Sequence, residues 1–401
     1  MNYLRLAEDS PDKFRRPLIL RMPGAGLAGK TVFYNGALLT LGAELKALTA
    51  EKILLVAGKH VLQGDEGPVI CNILSEAGMD YDIFSEVPPE PHLDTAGQIS
   101  ALMDNRRYGA VVGIGGGSVM DMAKLASHGG DGQLMERIRN GRFSGRKRPL
   151  ILLPTTAGTG SEISPYVVLT VDGKKRFYSS PEFLPTIAMI DPLLTIAMPG
   201  RITASTAFDA MTHALEGCMA CPSPYAECLA AESTALIFTY LSGAIDDGEN
   251  IEARYYLSLA SVMGMMSYCM GGGLYAHSIS YILTTEKNQP HGLGCGLALP
   301  YTMAFNEPYI EMLLSRLSVR CFGKQGTKES RREVIEKIQQ LFIQSGLPRS
   351  LAELGYGKND VPNLAGTLLR DYGRAGNPRQ MSEENARNLF EAMITGEIKY
   401  F

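Results

Sequence analysis

Apolar positions follow two rhythms along this chain. Up to about residue 200, short apolar runs of strand length alternate with stretches of helical spacing. The runs 52–57, 81–84, 110–114 and 149–154 predict strands, and 69–78 and 95–104 predict helices, the first stopped by a glycine. Ala110-Val111-Val112-Gly113-Ile114 has no polar face, as expected of a parallel strand covered on both sides. Alternating elements of this kind predict an α/β domain. From Thr203 onward the apolar residues recur at helical spacing through 204–219, 225–241, 251–270, 332–344 and 383–394. The pattern predicts an α/β domain over 1–199 and an all-helical domain over 200–401, with the site in the cleft between them.

Composition narrows the class. The 401 residues suffice for two or three domains, and a net charge of -4 argues against a nucleic-acid or membrane-surface partner. No uninterrupted apolar run reaches the roughly 18 residues of a membrane helix. The first twenty residues mix acids and bases, unlike a signal peptide. Seven scattered cysteines are an odd number, which speaks for free thiols and a reducing cytoplasm rather than a disulfide scaffold.

Two small-residue loops follow predicted strands. Gly113-Ile114-Gly115-Gly116-Gly117-Ser118 opens a helix carrying Asp121, Ala123 and Lys124. Glycines let the backbone approach a ligand, and a helix N-terminus offers free N–H groups to a pyrophosphate. A tight strand–helix turn without a ligand would read the same way. The second loop, Pro154-Thr155-Thr156-Ala157-Gly158-Thr159-Gly160-Ser161-Glu162, could line a nucleotide or be a surface turn.

Histidine is scarce, six in all, so its placement matters. Asp209 and His213 are i and i+4 within a helical pattern and share one face. His277 lies in an apolar helical stretch, and His291, fourteen residues later, sits in a turn-like Pro290-His291-Gly292. A carboxylate with imidazoles suits Fe(II) or Zn(II). Spacing alone also allows a structural Asp–His hydrogen bond.

Together these segments resemble the iron-containing (group III) alcohol dehydrogenases. The resemblance rests on Gly115-Gly116-Gly117-Ser118-x-x-Asp121-x-Ala123-Lys124, the 154–162 loop, Asp191-Pro192, Asp209-Ala210-x-Thr212-His213-Ala214-x-Glu216, the His277–His291 spacing and Asn377-Pro378-Arg379. It runs from about Val32 to Met393. It implies a Rossmann-like N-terminal domain and a helical C-terminal domain, the dehydroquinate synthase-like fold. It implies a divalent ion on Asp209, His213, His277 and His291. The nicotinamide cofactor's pyrophosphate would lie on Gly115, Gly116, Gly117 and Ser118, with Asp121 nearby. Thr155, Thr156 and Thr159 would flank the nucleotide and Lys175 the ribose. The implied chemistry is hydride transfer between nicotinamide and a metal-bound aldehyde or alcohol, in a homodimer or larger assembly.

The chain departs from the family pattern at informative positions. Tyr281 stands where many members have a second histidine, so either it joins His277 in proton handling or it simply packs. Gly58 stands where NAD-preferring members carry Asp. With Lys59 beside it, this predicts that NADP(H) is accepted, with NAD(H) also possible. Pro89-Glu90-Pro91 and Cys295 replace residues typical of the cofactor and metal loops. Cys218 and Cys221 form a single knuckle-like pair, more simply structural. Tyr268, Tyr275 and Arg374 fall where members line the substrate pocket. A pocket arginine would suit an anionic aldehyde; a solvent-facing Arg374 would not. The expected function is reduction of a small polar, anionic aldehyde to its alcohol. The alternatives are a reductase for neutral aldehydes such as lactaldehyde, a transhydrogenase with bound cofactor, a lyase of the dehydroquinate synthase type and a non-catalytic nucleotide binder.

Overall fold

The computed structural model describes residues 3–20, 28–48, 52–145 and 148–401. Its internal contacts divide the chain into two units, Met1–Met198 and Pro199–Phe401.

Unit 1 is built on β1 (Leu18–Leu20), β2 (Lys30–Phe33), β3 (Lys52–Ala57), β4 (Asp80–Phe84), β5 (Ala110–Gly115), β6 (Leu150–Pro154), β7 (Tyr166–Val171), β8 (Lys174–Ser179) and β9 (Ile187–Ile190). Seven strands form one sheet in the order β1-β2-β9-β6-β5-β3-β4, parallel except where β1 pairs antiparallel with β2. Every residue of β5, β6 and β9 is buried, which is why these segments carry no polar face. The order β4-β3-β5-β6-β9 reverses direction between β3 and β5. Such a switch point opens a crevice at the carboxyl ends of the strands. Gly58 and the 113–118 loop both lie there, joined by a hydrogen bond from the Gly58 N–H to the Ile114 carbonyl (3.0 Å).

The four sequence-predicted strands and both helices are present, the helices spanning Glu66–Glu76 and Leu93–Asn105. The apolar pattern did not predict β1, β2, β9 or the separate β7–β8 hairpin. That hairpin turns at Asp172-Gly173, both with positive φ (52° and 72°), as a two-residue turn of this type requires.

Asp191 is an internal anchor of unit 1. Its carboxylate accepts from the Tyr3 hydroxyl (2.5 Å) and from the N–H groups of Gly36, Leu38 and Leu193. The Asp191-Pro192 motif is therefore structural.

Unit 2 is helical. The glycine loop of unit 1 opens α1 (Gly117–Ser127); unit 2 continues with α2 (Gly200–Ala220), α3 (Pro224–Asp246), α4 (Ile251–Gly271), α5 (Tyr275–Lys287) and α6 (His291–Asn306). Later helices include Lys328–Gln344 and Glu383–Thr395. By length and composition α3 could cross a membrane, but it packs against α2 and α4 as a core helix. The long helix α2 lies against α3, α4 and α6. Glycines set how close these helices come. A Cβ on Gly217 would stand 2.4 Å from the Ser267 carbonyl, and one on Gly264 would stand 2.5 Å from the Ala210 carbonyl oxygen. One on Gly292 would stand 2.2 Å from the Ser205 carbonyl oxygen and 3.0 Å from the Asp209 Cβ. Nothing larger than glycine lets the start of α6 meet α2, and that contact brings His291 to Asp209. None of the seven cysteines is in a disulfide.

Candidate active site

Asp209 and His213 lie midway along α2, His277 in the first turn of α5, and His291 at the first residue of α6. His291 thus opens a helix, with Pro290 just before it, and is not in a free-standing turn. The sharp break between α4 and α5, at Gly272 to Leu274, frees the first N–H groups of α5. Glu216 fills that vacancy. Its carboxylate accepts from Leu274 N (2.5 Å), Ala276 N (2.7 Å) and His277 Nδ1 (2.6 Å). With Nδ1 donating to Glu216, His277 presents Nε2 as a bare lone pair. Ser280 does the same for His291. Its hydroxyl donates to the His291 carbonyl (2.6 Å) and accepts from His291 Nδ1 (2.8 Å), which leaves Nε2 as the acceptor.

The donor atoms converge. His291 Nε2 lies 3.8 Å and His213 Nε2 3.9 Å from Asp209 Oδ1, and the His213 and His277 rings are 4.9 Å apart. Donor atoms of Asp209, His277, His291 and Cys295 all lie within 4.8 Å of one another; His213, which reaches Asp209 Oδ1 at 3.9 Å, is not part of that four-residue group. Two buried atoms here, Asp209 Oδ1 and His277 Nε2, have no hydrogen-bond partner. Leaving buried acceptors unpaired is costly, so the cluster is shaped for a cation. The electrostatics agree. Burial works against the Asp209 charge, but His213, His291 and His277 outweigh it and hold the carboxyl below its ordinary value. Burial first, then the neighbouring imidazoles, holds His277 well below its usual range, so it stays neutral and can bind metal. Burial pushes Glu216 up to about 7 despite the N–H groups it accepts from.

The other predicted site residues of unit 2 surround this cluster. The Tyr281 ring stacks on His291 (centroids 5.2 Å, planes 18° apart), and burial pushes its phenol upward, so it stays protonated. Tyr268 is buried edge-on to His213 (4.7 Å) and close to His277 (5.1 Å). It packs against the two imidazoles. Tyr275 is buried and its hydroxyl is held by the backbone of Arg374 and Met381. Arg374 is half-buried rather than solvent-facing, and its Nε donates to Ser278 Oγ (2.7 Å).

In unit 1 the two small-residue loops face each other. A Cβ on Gly116 would stand 3.5 Å from Thr156, and one on Gly117 would stand 2.9 Å from Thr159. The Thr156 hydroxyl is buried without a partner. Thr155 N bonds the Gly115 carbonyl (2.9 Å) and ties the loops together. Gly115 has a packing reason as well: its Cβ would stand 2.7 Å from Val119. The Ser118 hydroxyl accepts from Glu90 N (3.3 Å), and Glu90 forms an ion pair with Lys175. Lys59 is exposed and paired with Glu86 (2.7 Å).

Asp121 is tied to neighbours within unit 1. Its two carboxylate oxygens accept from Ser161 Oγ (2.8 Å) and Val168 N (2.9 Å), and Lys124 beside it donates to Ser161, Ser164 and the Tyr166 carbonyl. The pair pins α1 to the second loop and to β7. Sequence reasoning noted Glu216 and Cys295 in their motifs but assigned neither to the cluster.

The comparisons agree with this geometry. The family model "Iron-containing alcohol dehydrogenase" matches residues 28–192, and "Fe-containing alcohol dehydrogenase family, C-terminal" matches residues 203–394. The chain is 28% identical to long-chain-alcohol dehydrogenase 1 of Geobacillus thermodenitrificans, over 90% of this chain and 94% of that one. It is 29% identical to 1,3-propanediol dehydrogenase of Klebsiella pneumoniae, over 89% and 95%. A solved structure of sulfoacetaldehyde reductase from Bifidobacterium kashiwanohense in complex with NAD+ superposes with a TM-score of 0.82 at 25% identity, covering 93% of this chain and 98% of that one. The chain belongs to the iron-containing alcohol dehydrogenase family and is an oxidoreductase of the alcohol dehydrogenase and aldehyde reductase kind.

Proposed function

We propose that the enzyme reduces a small aldehyde bearing an anionic group to its primary alcohol. Asp209, His213, His277 and His291 would hold the divalent ion. Gly115 to Ser118, with Thr155, Thr156 and Thr159, would hold the dinucleotide. When bound, the ion polarises the carbonyl oxygen and the nicotinamide supplies hydride. Glu216 and Ser280 fix the two imidazole tautomers that face the ion. Tyr281, a protonated phenol stacked on His291, would exchange a proton with the product alcohol. Tyr268 keeps the imidazoles from turning.

The observation that carries the substrate class is Arg374. Its guanidinium is half-buried, is steadied through Nε by Ser278, and meets no carboxylate among the described residues. Ser278 directly follows His277. The terminal nitrogens can pair with a sulfonate, phosphonate or carboxylate in a bidentate way. The sulfoacetaldehyde reductase acts on an aldehyde of this class.

We propose that NAD(H) and NADP(H) are both accepted. Gly58 carries no carboxylate to repel a 2′-phosphate, and Lys59 can leave its surface pair with Glu86 at little cost.

The test is steady-state oxidation of NADH and NADPH by ion-loaded enzyme. The panel holds sulfoacetaldehyde, phosphonoacetaldehyde and succinic semialdehyde against propanal and lactaldehyde. An anionic aldehyde is expected to give the highest kcat/KM, and Arg374→Ala to cut it by roughly 10–100-fold while sparing neutral substrates. Equal loss on all five would remove the anion role. No turnover of either free cofactor would point to a transhydrogenase.

A further inference from the structure

We propose that Cys295 is itself a ligand of the divalent ion, so the site carries a thiolate beside its carboxylate and imidazoles. The inference rests on the metal-site reading above and concerns one residue of this chain. Cys295 is one helical turn after His291 on α6, so both side chains leave the same face. It is fully buried, and its sulfur faces polar groups rather than an apolar core. Sγ lies 3.5 Å from His291 Nε2, and it belongs to the four-donor group that closes within 4.8 Å. An ion with N at about 2.05 Å, S at about 2.3 Å and the angles of about 90–110° found in four- to six-coordinate sites sets two neighbouring donors about 3.1–3.6 Å apart. The spacing is therefore already that of two ligands on one ion. The same group contains the two unpartnered buried atoms, Asp209 Oδ1 and His277 Nε2.

The competing arrangement is a thiol that only hydrogen-bonds, to His291 Nε2 or to the Asp209 carboxylate. An S–H···N bond and an ion both need the one Nε2 lone pair, so they exclude each other. On ion binding the thiol proton leaves to solvent, the S–H···N contact breaks, and sulfur and Nε2 each form a bond to the ion. No electron transfer is involved. A thiolate favours zinc and cobalt(II) over harder ions, which would separate this chain from a site of carboxylate and imidazoles alone.

The test uses the full-length protein, freed of metal by a chelator and reloaded with cobalt(II). One cobalt per chain is expected, with a near-ultraviolet thiolate-to-cobalt charge-transfer band alongside the visible ligand-field bands. Cys295→Ser and Cys295→Ala should lose the charge-transfer band, keep the ligand-field bands, and bind cobalt roughly 10–100-fold more weakly. Cys218→Ser should leave the band unchanged. Cobalt bound with the same spectrum in wild type and both Cys295 variants would overturn the proposal and leave the reductase reading intact. No cobalt uptake by wild type would overturn both.

Discussion

The two units build their sites from different materials. In unit 1 the candidate nucleotide site is mostly backbone and small side chains: Gly115, Gly116 and Gly117 opposite Thr156 and Thr159. Its charged residues, Asp121 and Lys124, are turned inward to hold the loops. In unit 2 the candidate ion site is all side chain, and two of its three imidazoles are oriented by a hydrogen-bond partner from elsewhere in the helical unit: Glu216 for His277 and Ser280 for His291. The first kind of site is defined by what is absent, a Cβ. The second is defined by a chain of hydrogen bonds that must all be satisfied. They should fail differently, the first through volume and the second through chemistry.

The sharpest break is expected at Glu216. Glu216→Gln keeps the shape but weakens its hold on His277 Nδ1. Ion affinity should fall roughly 10–100-fold, measured by competition with a metal indicator. Unchanged affinity would mean that the backbone alone orients His277. Next is Gly115→Val in unit 1. A side chain there meets Val119 at 2.7 Å, so stability should drop by about 1–3 kcal/mol, seen in urea melts, and dinucleotide binding should weaken with it. Full stability with full binding would show that the loop has slack.

The smallest effect concerns Glu162. It is buried, and burial pushes its carboxyl from 4.5 up to about 7. The folded state then binds more protons than the unfolded state between those values, so stability falls as pH rises from about 4.5 to about 7 and stays lowered above. Glu162→Gln should remove that slope. It should be more stable than wild type by roughly 1–3 kcal/mol at pH 8 and level with it near pH 4.5. Parallel profiles for the two proteins would contradict this.

Much of this contrast could be read in the sequence. The strands β3, β5 and β6 are uninterrupted apolar runs, and the long helices carry unbroken periodicity. The strands β1, β2 and β9 are three or four residues long, too short for a pattern to rise above chance. The β7–β8 hairpin carries its signal in the turn rather than in apolar periodicity: Asp-Gly between two β-prone segments. The Asp209–His213 pair was legible because i and i+4 share a helix face. The Glu216–His277 bond was not, because it joins residues 61 apart on separate helices. Asp121 shows the reverse problem: a motif position gives no sign of whether a carboxylate faces a ligand or bonds a neighbouring strand.

The central claim is that the buried cluster of unit 2 must hold an ion for aldehyde reduction. It is tested most directly by titrating zinc or ferrous ion into chelator-treated wild type and His277→Ala while following nicotinamide oxidation with an anionic aldehyde. The account predicts that wild-type activity returns at one ion per chain, and that His277→Ala stays lower by about 10³-fold. Full activity in the chelated enzyme, or a His277→Ala variant as active as wild type, would contradict it.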